Sequence, residues 1–554
     1  MDPRDRAYVP PTLGGADRLR SPCARTGPGH GRATLVRSAP VPASCCLPTS
    51  RRATTRAVVG VLLGAIAAVS AGCSSTSTSG QATSTPPASA TPLPAVPPPA
   101  PIAWVTCPTQ PELQCGSVSV PLDYRRPAAG ALSIAVARAP ASSGRATAGD
   151  LVMNPGGPGE SGLQILPVEL PLLPAAVRAD SDVVSFDPRG TGASDALQCG
   201  TDPSTVTAVV PVPAAAGLPL PGTPVFAGLR RACATAHPAL TAAVDTTDTA
   251  RDMDRIRRAL GVSTISFYGL SYGTVLGTVY AALFPQRVRA MVLDGAVDMD
   301  APLATQAAEQ APAAERSLQH LLATCAPAST CLLGADPTGF FTRLSASMTA
   351  HPLPAPGTGD DVPVTVGDLD TATLLALSVT QFTPAYEAAL VAAAHGDGSQ
   401  LRTLAREFVV DIDGSPLVDA QWAITCNDTV HHPGPRAAGT LARTIADRYP
   451  LIGGYAVTYN LGGCVTWPNG RQPVSDTHPS TAPPVLVLGN TGDPNTPLIG
   501  GRHLAALFPH ASQLTWVGWG HTWLLSGASD TCVSSAVTRY LSGGGLPPAS
   551  TVCG

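Results

Sequence analysis

The chain has 554 residues, 44% of them hydrophobic and only 13% charged, enough for one large globular domain with an insertion or for two domains. Its net charge is −4, all its basic side chains are arginine, and no basic cluster occurs in its body, so nucleic acid is excluded as an expected partner.

In chain order, residues 1–50 are Pro- and Arg-rich with no hydrophobic period; they are assigned no structure, and the true start is expected downstream of Met1. Arg51, Arg52 and Arg56 then precede an apolar run, 57–71, with small residues leading to Cys73. A basic region, a short apolar region and a small-residue exit describe an export signal. The run is too short to cross a bilayer comfortably. Val69-Ser70-Ala71-Gly72-Cys73 resembles a bacterial lipobox, with Ser70 where that pattern usually carries Leu. Residues 1–73 are therefore read as a leader with Cys73 as the lipidation site. A lipid anchor is then the expected membrane contact, and plain secretion is the alternative. Residues 74–101, Ser/Thr-rich and then Pro-rich, form an expected disordered tether.

From Ile102 the composition turns globular. Leu151–Met153, Val183–Phe186, Ile265–Tyr268, Met291–Leu293 and Val485–Leu488 are short apolar runs bounded by turn residues, as expected of buried parallel strands. Gln513–Val517 reads as a last strand. Asp245–Leu260 carries charges on one helical face and Ala250, Met253, Ile256 and Leu260 on the other. Between about 299 and 484 the strand rhythm lapses. Ala-rich helical patterns cover 307–323 and 371–394, with a loop at 351–363, so a mainly helical insertion is expected between two parts of a core, 102–298 and 485–554.

Gly269-Leu270-Ser271-Tyr272-Gly273 follows the strand-like run and precedes a helix-like one, Thr274–Phe284. Strand, G-x-S-x-G, helix is the context of a nucleophile elbow, where a serine on a strained turn needs small residues on both sides. Such a serine needs a base, and the base needs an acid to orient it. Downstream, Val485–Leu488 runs into Asp493, and Gln513–Val517 leads to His521. This is the order Ser, Asp, His, with both partners just past strands. His503 and His510 compete for the role of base, but lie in or at the end of a helical stretch. The developing oxyanion needs N–H donors. Tyr272 supplies one candidate and the loop Asn154–Gly162 the other, at Gly157. A phosphate loop is the rival reading, though its Lys-Ser/Thr is missing.

Of the chain's 14 cysteines, Cys23, Cys45 and Cys46 fall in the leader and Cys73 is the lipidation site. The ten that remain are an even set in an exported chain and suggest disulfides. Connectivity cannot be deduced from sequence; neighbour pairing is expected: Cys107–Cys115, Cys199–Cys233, Cys325–Cys331, Cys426–Cys464 and Cys532–Cys553. No C-x-x-C or H-x-x-x-H spacing occurs, so neither a metal site nor another cofactor is expected. Cys426, Asp428, His431 and His432 lie close in sequence and read as an irregular polar stretch rather than as ligands.

Asn154–Gly162, Phe186–Ser194 with its Asp187-Pro188-Arg189-Gly190, the elbow, Asp493 and His521 together resemble the exported tripeptidyl aminopeptidase family. Ala423–Asp428 and Cys464–Pro468 add to the likeness, which runs from about Trp104 to the C-terminus. That family consists of α/β-hydrolases related to proline iminopeptidases, and several relatives are called carboxylesterases. The resemblance implies an α/β-hydrolase fold: a mostly parallel sheet flanked by helices, with an inserted mainly helical cap. It also implies release of tripeptides from free N-termini through an acyl-enzyme. Binding a substrate ammonium calls for a carboxylate near the pocket mouth, for which Glu160, Glu309 and Glu315 are candidates. Arg189 reads as structural, pinning loops beneath the site. A carboxylesterase or lipase-like hydrolase with the same three residues, and a non-catalytic surface binding protein, are the other readings. Either enzyme would take a peptide or ester substrate; the oligomeric state stays open.

Overall fold

Six apolar runs of the sequence become adjacent strands of one sheet. The computed structural model describes residues 93–327 and 330–554. The leader, Cys73 and the tether as far as residue 92 lie outside the described residues. The strands are β1 (Val105–Thr106), β2 (Gln114–Pro121), β3 (Ala131–Ala139), β4 (Gly149–Asn154), β5 (Ser181–Phe186), β6 (Ile265–Leu270), β7 (Val288–Asp294), β8 (Val485–Gly492), β9 (Ala511–Trp519) and β10 (Thr551–Cys553). Their order is β1-β2-β3-β5-β4-β6-β7-β8-β9-β10. Pairing is antiparallel from β1 to β5 and parallel from β5 through β10.

The helices that bear on the site are α1 (Gly162–Glu169), α2 (Thr246–Leu260), α3 (Gly273–Leu283), α4 (Leu303–Cys325), α5 (Val366–Ser378), α6 (Thr383–Ala394), α7 (Val418–Asn427) and α8 (Trp523–Gly527). Alternation along the strands divides the core into two layers. Val152, Phe267, Met291 and Leu293 face Met253 and Ile256 of α2 and Leu276 and Val279 of α3. Leu151, Met153, Tyr268 and Val292 face the other way, onto Leu166 of α1, Leu524 of α8 and Val537. Strands covered on both faces are apolar at nearly every position, which is why they read as continuous runs. The chain belongs with α/β-hydrolase folds on this architecture. Between β7 and β8 it forms helices packed around a third apolar cluster that includes Leu318, Phe341, Leu369 and Leu390.

One expected element differs in the structure. The helical pattern expected over 371–394 is two helices, because α5 ends at Ser378 and α6 begins at Thr383 after a short 3-10 turn. Pro384 lacks the N–H that would continue the ladder. The β2–β3 hairpin is a further element: Gly116, Ser117, Ser119, Ser133 and Arg138 interrupt its apolar residues, and only Ile134–Ala137 form a buried run.

Disulfides join Cys107 to Cys115, Cys199 to Cys233, Cys325 to Cys331, Cys426 to Cys464 and Cys532 to Cys553. Such usage fits an extracellular or cell-envelope protein. Among the described residues no helix is long and apolar enough to cross a membrane.

Candidate active site

β6 lies between β4 and β7 and is buried along its whole length, so its C-terminal end opens in the middle of the sheet. There the chain turns at Ser271, whose φ of +53° is left-handed, a conformation non-glycine residues rarely adopt. The Ser271 N–H donates to the Asp294 carbonyl at the end of β7 (2.9 Å), and α3 starts two residues on. The flanking glycines are sterically required. A Cβ on Gly269 would lie 2.3 Å from the Gly273 carbonyl oxygen, and one on Gly273 would lie 2.6 Å from that of Asn154.

Asp493 and His521 come together from the ends of β8 and β9. His521 Nδ1 is 3.0 Å from both Asp493 carboxylate oxygens. Asp493 also accepts from the N–H groups of Asn495, Thr496 and Thr522 and from the Thr496 hydroxyl. Burial alone would raise the Asp493 pKa, but His521 and these donors outweigh it and hold the carboxyl below its ordinary range. For His521 burial opposes the charged ring, yet Asp493, with Asp294 and Glu160 further off, raises its pKa above the usual imidazole value. The next residue, Thr522, has φ +58°, a costly state for a β-branched side chain that the surrounding bonds must enforce.

Asp294 links the serine and histidine loops. Its carbonyl receives the Ser271 N–H, while its carboxylate accepts from Trp523 N–H, Leu524 N–H and the Tyr268 hydroxyl. Burial, only partly offset by these donors and by His521, pushes its pKa up to about 6. His521 Cε1 is 3.4 Å from where a Cβ on Gly295 would stand, so serine and histidine flank one peptide, Asp294–Gly295. The Ser271 hydroxyl and His521 are not hydrogen-bonded; such pairs often tighten only around substrate. Asp294 and Thr496 escaped sequence reasoning. A threonine three residues after an aspartate is the only local signal for the second.

The loop after β4 passes directly over the turn. A Cβ on Gly156 (φ +118°) would lie 2.8 Å from the Leu270 carbonyl oxygen and 3.0 Å from Ser271 Cβ. Gly157, Pro158, Ser271 and Tyr272 line one cavity. Neither the Gly157 nor the Tyr272 N–H donates to a protein acceptor among the described residues. The far end of the loop is tied down by Asp187, which accepts from the Ser161 hydroxyl, Leu163 N–H and Ala193 N–H. Arg189 is fully buried, pairs with Asp252 at 2.7 and 2.8 Å, and donates to the carbonyls of Pro121, Leu122 and Ala243. It is a structural pin.

The three glutamates fare differently. Glu309 lines the cavity beside Asp298; burial and Asp298 raise its pKa, against a lowering by His503. Glu160 follows the glycine loop; burial and Asp411 push it up to about 7, against a lowering by His521. Glu315 is corrected: its carboxylate accepts from the Leu451 and Ile452 N–H groups at 3.1–3.3 Å, beside a separate surface recess, and it is withdrawn as an amine partner. His503 pairs with Asp298 at 2.5 Å, and His510 sits where β9 begins, at the opposite end of that strand from His521. Asp298, Glu309 and His503 are the metal-competent grouping at the cavity, their ligand atoms within 4.8 Å of one another. At the end of α7 and just beyond it, Cys426 is disulfide-bonded, Asp428 accepts from Thr246, and His432 bonds to Thr429 and the Trp467 carbonyl.

Residues 151–528 match the α/β hydrolase fold family. The chain is 32% identical over 486 residues to the serine protease Hip1 of Mycobacterium tuberculosis, covering 82% of this chain and 91% of that protein. It is also 32% identical over 456 residues to carboxylesterase B of the same species, covering 79% and 86%. To the tripeptidyl aminopeptidase of Streptomyces lividans it is 28% identical over 498 residues, covering 82% and 87%.

Proposed function

Because the chain belongs to the α/β-hydrolase fold family and is a serine hydrolase, we propose that Ser271 is its nucleophile, His521 the general base and Asp493 the orienting acid. Ser271 attacks the substrate carbonyl while His521 takes its proton; the oxyanion is held by the N–H groups of Gly157 and Tyr272; His521 then protonates the leaving amine, and water hydrolyses the acyl-enzyme. In this reading residues 102–298 and 485–554 form the core and 299–484 the cap. The protein is exported through the 1–73 leader and anchored by a lipid on Cys73.

The substrate reading is an aminopeptidase that releases short peptides, tripeptides in the first instance, from free N-termini. One observation carries it. The cavity beside Ser271 is lined by Asp298, Glu309 and Asp428 and, among the described residues, by no basic side chain. An acid-walled cavity favours a cationic substrate group and disfavours an anionic one. Asp428 is engaged by Thr246 and Asp298 by His503, whereas Glu309 accepts no hydrogen bond from the described residues, so Glu309 is assigned the ammonium. A carboxylesterase is the second reading, supported by an identity to carboxylesterase B, 32%, that equals the identity to the serine protease Hip1. Rates on tripeptide anilides with free and with acetylated N-termini separate the two. An aminopeptidase loses most of its kcat/KM on acetylation. Equal rates would end that reading and leave the esterase.

A further inference from the structure

Tyr272 is tied to the protein at both ends. Its backbone N–H is free to meet an oxyanion, while its side chain is buried with the hydroxyl bonded to Thr246 Oγ1. Thr246 is the first residue of α2 and fully buried. Its N–H donates to Asp428 Oδ1 at 2.8 Å, and its hydroxyl donates to Asp428 Oδ2 at 2.6 Å. That assigns the Thr246 hydrogen, so the Tyr272 hydroxyl must be the donor in the remaining bond. Asp428 directly follows α7, and the end of that helix is fixed further. Asn427 donates to the carbonyls of Thr241 and Val244, and Cys426 is disulfide-bonded to Cys464.

The other end of α7 meets the second donor loop. A Cβ on Gly159 would lie 2.9 Å from the Gln421 N and 3.1 Å from Ala420 Cβ, so helix and loop are in direct backbone contact. A single helix of the inserted region thus touches both sides of the oxyanion site, at Gly159 through Ala420 and Gln421 and at Tyr272 through Asp428 and Thr246.

We propose that α7 is the gauge that sets the separation of the two oxyanion donors, with Thr246 and Asp428 as positioning residues that hold Tyr272 by its hydroxyl. The inference rests on the nucleophile reading above. Side chains that lock the group bearing a donor matter because oxyanion stabilisation depends on donors fixed before charge develops.

The test is steady-state and burst kinetics on a chromogenic ester with the full chain. Tyr272→Phe removes the bond but keeps the ring in its packing. Displacing rather than deleting a donor is expected to lower kcat and the acylation rate by about 10–100-fold, below the 10²–10³ of outright removal, with KM changed less than about threefold. Thr246→Val repeats the loss and Thr246→Ser, which retains the hydroxyl, restores most of it. A merely structural role predicts a lower Tm with kcat per folded molecule unchanged, and that outcome overturns the proposal. So does Tyr272→Phe acylating at the wild-type rate. Ser271→Ala serves as the control: if it still turns over, the nucleophile reading itself fails, and the two failures are thereby distinguished.

Discussion

His521 carries a charge balance set by its neighbours. Burial disfavours the imidazolium, but Asp493 at 3.0 Å outweighs burial and raises the pKa above the ordinary value. Attack by Ser271 needs the neutral ring, so kcat/KM is expected to fall as pH drops through that raised pKa. Its acid limb then lies above the usual imidazole position. Asp493→Asn removes the raising influence; the limb moves to lower pH and kcat falls about 10⁴-fold, as expected when the base loses its orienting partner. A pH–rate profile of both proteins checks the sign, and an unmoved limb contradicts it. Glu309→Gln is expected to raise KM about 10–100-fold for free-amine peptides and to leave N-acetylated ones unchanged, the scale of a lost charge-assisted hydrogen bond. At this scale the sequence was readable where a residue sits in a loop just past a strand, as Asp493 and His521 do. It was unreadable for Glu315, because the N–H groups of Leu451 and Ile452 that engage it lie some 136 residues away.

Among the elements, the strand–turn–helix around Ser271 could be recognised because close approach leaves only glycine at its flanks. Gly156→Ala tests that statement. The new methyl meets the Leu270 carbonyl at 2.8 Å on a backbone of φ +118°, and backbone cannot give way as a side chain can. Stability is expected to fall by about 2–4 kcal/mol in denaturant titration, in the range of strained backbone positions, with activity lost alongside. Gly144→Ala shares a positive φ but meets nothing within 4 Å, so it should cost no more than the backbone strain. The antiparallel β2–β3 pair was hidden because small and polar residues such as Gly116, Ser117, Ser119 and Ser133 interrupt its apolar positions, and the α5–α6 break because an Ala-rich run keeps its helical period across the 3-10 turn at Thr380–Phe382.

For the molecule as a whole, the architecture brings Ser271, Asp493 and His521 to strand ends from positions separated by the entire inserted region. The Cys426–Cys464 bridge closes 38 residues of that region and lies next to Asp428. Replacing both cysteines by serine is expected to destabilise the protein by about 2–5 kcal/mol, read as a lower Tm, with a loss of kcat beyond the unfolded fraction. The parallel strands themselves were readable from their apolar runs, though not their order in the sheet; the seating of the inserted helices was not readable, since it depends on tertiary contacts such as the Ser378 carbonyl accepting the His521 N–H at 2.9 Å. The most direct measurement is intact-protein and peptide mass spectrometry after reaction with a fluorophosphonate. A single adduct on the peptide containing Ser271, absent in Ser271→Ala and slowed by more than about 10³-fold in His521→Ala, is the expected result. An adduct on another residue, or labelling that persists in Ser271→Ala, would contradict it.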